Sequence, residues 1–312
     1  MKAIMYHYVR PFNKEYPFLK NLDLYDFKKQ LDYFEKKYGI INREEFLFYF
    51  KNGDVKNIKK GIVLTFDDGL SCHYDYVFPE LKKRNLWGIF YVSTLPLVKK
   101  KLLDVHRTHV ILGKNNSKEV YNYLKKIITE DMFDKEKFEE FKKFTYSNQI
   151  NDNYSLLVKR ITNYYLSHKH REKILDKLVK KFIKGKEEII KNYYLNNSQI
   201  KEMHEDGMTI GSHTVNHQVM SRLKYLDQKY EIEESFNQIK NIIGEFNPKT
   251  FCYPYGGFHS FTNETEKILI KNKSMFSFNV EQRDIKIDDI INRPQALPRY
   301  DCNKFKHGKV RS

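Results

Sequence analysis

The chain is short of the residues that staple or punctuate a fold: among 312 positions there are three cysteines, eight prolines, thirteen glycines and one tryptophan. Cys72, Cys252 and Cys302 are widely separated, which excludes both a disulfide framework and a Cys-x-x-Cys metal site. No apolar run approaches the roughly 18 residues that a membrane span needs. Met1 to Val9 holds only a short apolar patch broken by His7, unlike a secretory signal, so the expected location is the cytoplasm. Internal repeats and low-complexity linkers are also missing. Acidic residues number 40 against 56 Lys and Arg, a formal net charge of +16. Arginine is nonetheless sparse and lysine is scattered over the whole chain. A nucleic-acid reader concentrates these residues on one element, so no nucleic-acid partner is expected. A generally basic surface remains compatible with peripheral contact to an anionic membrane or with phosphorylated sugars.

What is present is a core. Hydrophobic residues make up 40% of the chain and aromatics 15%, which excludes a disordered protein. A chain of about 300 residues buries roughly three quarters of its unfolded surface on folding. Three stretches differ in pattern. In 1–100, Ala3–Tyr6, Ile62–Phe66 and Gly88–Val92 read as strands, the last two as apolar runs buried on both faces. Leu24–Lys37 and Tyr76–Lys83 read as helices. This rhythm argues for parallel βαβ units. In 101–195 strands give way to Lys/Glu-rich segments with apolar residues three and four apart, such as Val120-Tyr121-Leu124-Ile127-Ile128 and Ile174-Leu175-Leu178-Val179-Phe182, the pattern of amphipathic helices. We read this stretch as a helical insertion. In 196–312 the βα rhythm returns, with strands at Met208–Ser212, Thr250–Tyr253 and Met275–Val280 and helices at Ile200–Asp206, Tyr225–Ile243 and Glu264–Asn272.

Three clusters sit at strand ends. Thr65-Phe66-Asp67-Asp68-Gly69 closes a buried strand with two carboxylates and a turn-permitting Gly. Adjacent like charges are costly unless a cation or proton separates them, so one carboxylate on a metal and the other as proton acceptor would resolve the cost; a surface Asp-Asp-Gly turn is the plainer alternative. His213-Thr214-Val215-Asn216-His217 follows another strand, and histidines four apart can meet one metal if the segment turns. With one carboxylate they leave coordination positions open, as catalysis requires. There is no Glu after the first His, which excludes a zincin helix. Phe251-Cys252-Tyr253-Pro254-Tyr255-Gly256-Gly257 forces an open loop whose backbone N–H groups can face a cavity as oxyanion donors, or make an ordinary turn.

Thr-Phe-Asp-Asp-Gly, then His-Thr-x-x-His, then Tyr-Pro-Tyr-Gly, in this order, resembles the polysaccharide deacetylase family (carbohydrate esterase family four, the nodulation-type deacetylase domain). Met5-Tyr6-His7 also resembles the first strand of many members. The resemblance covers about 1–100 and 196–300. It implies an α/β fold, a distorted (β/α) barrel with fewer than eight repeats and a helical insertion, its motifs gathered at the C-terminal strand ends. It further implies Asp67 as general base, Asp68, His213 and His217 as ligands of a divalent metal, zinc being favoured by this donor set, and the Tyr255 N–H as oxyanion donor. The implied reaction is hydrolysis of an acetamide on an N-acetylated sugar. Water attacks the carbonyl, Asp67 takes its proton, and the metal and Tyr255 face the oxyanion. An intracellular precursor of a surface glycan is the expected substrate.

Two departures from the family pattern carry consequences. Many members have Arg two residues before the Pro, orienting the base; here that residue is Cys252, and Arg293 or Arg299 is a candidate replacement. Many members take the general acid from a Leu-x-His near the C-terminus. This chain has none near its C-terminus, and His307 lies in a polar tail. Leu102-Leu103-Asp104-Val105-His106-Arg107-Thr108-His109, at the start of the insertion, is the densest cluster of titratable groups outside the motifs. It makes His106, with His109 second, the expected acid; the alternative is a polar insertion surface. The missing acid also keeps open a catalytically inactive carbohydrate-binding barrel.

Overall fold

The computed structural model describes residues 1–51, 58–146 and 151–310. The chain packs as two units, one formed by Met1–Pro11, Asn21–Lys99 and Tyr193–Arg311, the other by Phe12–Lys20 and Lys100–Asn192.

The first unit holds one sheet of seven strands: β1 (Lys2–Tyr6), β2 (Ile62–Phe66), β3 (Ile89–Val92), β4 (Thr209–Ser212), β5 (Thr250–Cys252), β6 (Phe276–Phe278) and β7 (Tyr300–Asp301). Their order is β6-β5-β4-β3-β2-β1-β7 and every pairing is parallel. The segment that becomes β7 bridges β6 at Leu297 before it pairs β1 at Tyr300, so the two sheet edges are drawn together into a curled, incompletely closed barrel. Strands β2 to β6 are buried throughout, which is why β2 and β3 read as apolar runs. The rings of Tyr6, Phe66 and Phe90 stack across β1, β2 and β3 at 5.1 and 4.7 Å, and Phe27 meets Tyr6 edge-on at 5.3 Å.

Helices cover this sheet. They are α1 (Leu24–Lys37), α2 (Arg43–Lys51), α3 (Phe78–Lys83) and α4 (Leu95–Lys99) before the insertion. Helix α1 shows why the sequence folds so. Asp23 caps its N-terminus by accepting from Tyr25 N–H, Lys36 and Lys37 face the C-terminal dipole, and Phe27, Leu31 and Phe34 form one buried stripe. The helix expected at Tyr76–Lys83 is present and begins earlier: a wide π-helical turn over His73–Val77 runs straight into α3, with Pro79 in the first turn of α3.

The second unit is helical: α5 (Asp104–Lys114), α6 (Ser117–Ile127), α7 (Phe138–Phe144), α8 (Asn153–Arg160), α9 (His168–Phe182) and α10 (Lys186–Tyr193). Leu124, Val158, Ile174 and Leu178 are buried in it. Arg107 is buried too and pairs with Asp104 and Asp176. The segment 12–20 joins this unit through Phe18 N–H, which donates to Gly113 O at 3.0 Å.

The chain returns to the first unit with α11 (Asn197–Glu205), α12 (Tyr225–Ile243), α13 (Asn263–Lys271) and α14 (Ile287–Asn292). Because the strands are parallel, Asp67–Gly69 after β2, His213–His217 after β4 and Tyr253–Gly257 after β5 leave the sheet at the same end.

Candidate active site

At the end of β2 the backbone turns between the two carboxylates. Asp67 N–H still donates to Tyr6 O at 2.9 Å, continuing the ladder, whereas Asp68 takes φ +80°. The two side chains therefore meet different partners. Asp67 receives two parallel hydrogen bonds from the fully buried Arg299, Nη1 to Oδ1 and Nη2 to Oδ2, both 2.8 Å. Arg299 also donates to Thr65 Oγ1 and Cys252 Sγ, each at 2.9 Å. Burial pushes the Asp67 carboxyl up, but Arg299, with His213 and His7 behind it, brings it below the ordinary aspartate value. Burial raises the Cys252 thiol, so that residue stays neutral beside the pair. Of the two candidate arginines, Arg299 is the one at the base; Arg293 pairs with Glu266 at the surface, over the Phe258 ring.

Asp68 faces two imidazoles. Its Oδ1 lies 3.4 Å from His213 Nε2 and 3.2 Å from His217 Nε2, and all three side chains are buried. Their ligand atoms lie within 4.8 Å of one another. His213 Nδ1 is hydrogen-bonded to Cys252 O at 2.8 Å, which assigns the proton to Nδ1 and turns the Nε2 lone pair toward Asp68. Two ligands about 2.1 Å from a common tetrahedral centre stand roughly 3.4 Å apart, so donor types and spacing both fit a divalent cation. A second trio, Asp67, His213 and Cys252, is equally close. It fits less well, because Asp67 is already paired with a guanidinium and the Cys252 thiol is protonated. Burial opposes a charge on His213, but the Cys252 carbonyl at Nδ1 and the Asp68 and Asp67 carboxylates outweigh it and raise its pKa well above the ordinary histidine value; the pocket calls for positive charge.

The loop after β5 brings the third motif beside these ligands. The Tyr255 ring lies 4.9 Å from the His217 ring, with Tyr255 at φ +66°. Gly256 follows at φ +60°, where a Cβ would overlap the Val280 side chain. Asp68, Thr214, His217 and Tyr255 are four of the ten non-glycine residues with positive φ among those described. Such strain persists only where surrounding contacts over-determine it, and it collects at functional sites.

The first unit thus brings together Asp67, Asp68, His213, His217 and Tyr255. His106 belongs to the second unit: it lies on α5, fully buried, its ring 5.7 Å from that of His109. It is buried, not part of an exposed polar surface. Two further histidines of the first unit received no role from the sequence. His7 follows β1 directly, is half-buried and stands near Asp67. Its carbonyl accepts from Nε2 of the fully buried His73 at 2.8 Å. The signal for His7 was present in Met5-Tyr6-His7, a titratable residue at the end of a strand whose neighbour ends in Asp67.

Fold and site define a class, a curled parallel (β/α) barrel with ionisable groups gathered at the C-terminal strand ends. Residues 161–272 match the family model described as polysaccharide deacetylase. Among solved structures the chain is similar to the Streptococcus pyogenes deacetylase PplD in complex with acetate, at 16% identity and a TM-score of 0.58, over 96% of this chain and 91% of that one. It is similar to IcaB from Ammonifex degensii at 18% identity and a TM-score of 0.55, over 96% and 90%. It is also similar to the Bacillus cereus polysaccharide deacetylase BC0361 at 13% identity and a TM-score of 0.54, over 96% and 64%. At these identities the structural likeness speaks for the fold. No curated protein matches the chain. The family model is matched by residues 161–272, and the likeness of fold to solved deacetylases extends over 96% of the chain. That family-model match supports a hydrolase that deacetylates an acetylated sugar. Among the described residues no helix is long and apolar enough to cross a membrane.

Proposed function

We propose that this protein is a metal-dependent hydrolase that removes the N-acetyl group from a sugar, with Asp68, His213 and His217 holding a divalent cation, zinc by preference, and Asp67 as general base. The observation that carries the proposal is the pairing of a buried, arginine-held Asp67 with the adjacent Asp-His-His set. A bound divalent cation supplies Lewis-acid polarisation of a carbonyl and lowers the pKa of water.

The residues do the rest. Arg299 keeps Asp67 ionised and fixes its plane, so that it is ready to take a proton from the attacking water. The Tyr255 main chain, held in a left-handed turn beside His217, offers its N–H to the developing oxyanion. For the leaving amine we assign the proton donor to His7, which sits at the strand end with Asp67 in the same unit and retains exposure, and keep His106 of the second unit as the alternative. His7→Ala should cost about 10²–10⁴-fold in turnover and remove one limb of the pH–rate profile with metal content unchanged. The same result for His106→Ala, with His7→Ala silent, would reverse the assignment.

The decisive assay measures acetate release from N-acetylglucosamine oligomers by zinc-loaded protein, chelator-treated protein and Asp67→Asn. We expect release only from the loaded parent, with Asp67→Asn keeping its metal. Stoichiometric metal at the trio with no release from any N-acetyl sugar would identify an inactive carbohydrate-binding barrel instead. We further propose a cytoplasmic reaction on a precursor of a surface glycan. The three cysteines support this reading, being buried free thiols as in a reducing compartment. Higher kcat/KM on finished polymer than on nucleotide-linked or lipid-linked sugar would overturn it.

A further inference from the structure

Helix α12 carries an unusual buried face. Alongside Ile232, Phe236 and Ile239 it buries Gln228, Glu231 and Ser235. Glu231 is 3% exposed, and its partners all lie in the turn between the two motif histidines. Its Oε2 accepts from Val215 N–H at 2.9 Å and Asn216 N–H at 2.8 Å, and its Oε1 accepts from Asn216 Nδ2 at 2.5 Å. One helical turn on, Ser235 Oγ meets Ser212 Oγ at 2.6 Å, and Ser212 Oγ accepts from Thr214 N–H at 3.2 Å.

From the other side Thr94 and Leu95 N–H donate to Thr214 O and Val215 O. Between these fastenings Thr214 has φ +68°, an outlier for a β-branched residue, and His217 has φ +53°. His217 N–H closes the turn on Thr214 Oγ1 at 2.8 Å. Relaxation of either residue to ordinary backbone angles would swing the His217 ring off the Asp68 oxygen that it now approaches to 3.2 Å. Two adjacent N–H groups pointing the same way need one acceptor with free lone pairs, and a carboxylate supplies it.

We propose that Glu231 is the positioning residue of the metal-ligand turn: its carboxylate gathers the Val215 and Asn216 N–H groups and so holds His213 and His217 with both Nε2 atoms on Asp68. The inference rests on the reading that Asp68, His213 and His217 hold a divalent cation. It extends that reading to a residue that touches neither metal nor substrate.

The test measures zinc affinity by chelator competition, and the visible absorption of the cobalt-loaded protein, for the parent and for Glu231→Ala, Glu231→Gln, Ile239→Ala and His217→Ala. Outer partners of metal ligands typically contribute about 10–100-fold in affinity. Glu231→Ala should lose that much and change the cobalt spectrum. Glu231→Gln keeps a carbonyl for the two N–H groups and should restore most of both. Ile239→Ala, buried on the same helix, should lose stability yet keep parent affinity and spectrum. Parent affinity in folded Glu231→Ala, no rescue by Glu231→Gln, or an equal loss in Ile239→Ala would overturn the inference. If Glu231→Ala does not fold, Glu231→Asp, which withdraws the carboxylate by one methylene, takes its place with the same expectation. His217→Ala separates the two claims: parent affinity there would sink the metal site itself, whereas lost affinity there beside full affinity in Glu231→Ala would sink the positioning role alone.

Discussion

Arg299 reaches Asp67 across 232 positions of sequence, and both are buried where neither could stay charged alone. Removing one partner of such a pair leaves an uncompensated interior charge. Arg299→Met is therefore expected to destabilise the protein by about 3–5 kcal/mol in urea unfolding, and the double variant with Asp67→Asn should recover most of it. Single and double variants of equal stability would show that the pair is not the reason. His73 makes a second residue-scale case. It packs against the stacked Phe66 and Phe90 rings, and Nδ1 is buried without a hydrogen-bond partner. Burial lowers its pKa from 6.5 to about 4. The folded pKa is below the unfolded one, so the unfolded chain binds the proton first. The stability held by neutral His73 is complete above about pH 6.5 and is lost as pH falls toward 4, by up to about 3 kcal/mol. His73→Phe should flatten that part of the stability–pH curve; an unchanged slope would mean that His73 is not buried neutral. The motif residues were legible because paired Asp and spaced His are costly without a purpose. Arg299 could not be told from Arg293 by pattern, since both stand near prolines in one stretch and only the curl of the sheet decides which one points inward.

Among the elements, strands β2 and β3 declared themselves by apolar runs, and α1 and α12 by their stripes, because each pattern spans enough residues to outvote exceptions. Strand β7 did not: it has two half-buried residues, and its place beside β1 follows from sheet closure, a long-range event without a local sign. Helix α2 was missed for another reason, since Phe46-Leu47-Phe48-Tyr49-Phe50 is apolar without a period. The loop after β5 was read as open, and its geometry gives that reading a measurable consequence. At Gly256 a side chain meets both the wrong φ and the Val280 side chain. Gly256→Ala should destabilise by more than about 1 kcal/mol, and because Tyr255 precedes it, deacetylase turnover should fall by more than the unfolded fraction explains. Parent stability and turnover would show that the loop tolerates an ordinary backbone there and that Tyr255 is not held by it.

At the scale of the molecule, composition pointed to a helical stretch set into a βα chain. That 12–20 packs with that stretch was invisible, because its ties, the Phe18 N–H on Gly113 O and Lys114 over the Tyr16 ring at 4.5 Å, join positions far apart in sequence and leave no local sign. The division matters for energetics. Asp68, His213 and His217 all lie in the first unit, so a cation that binds the folded trio and not the unfolded chain stabilises that unit by mass action. At a free concentration a thousand times Kd the gain is about 4 kcal/mol. Hydrogen exchange with and without zinc should therefore show increased protection in peptides spanning β2, β3 and β4 and the turn to His217. Peptides from α5, α6 and α9 should keep their zinc-free rates, because those helices have their own core and contribute no ligand. His217→Ala should abolish the difference in the barrel. Equal protection of both units by zinc would mean that they open together, and the helical stretch would then share the cation's stabilisation without touching it.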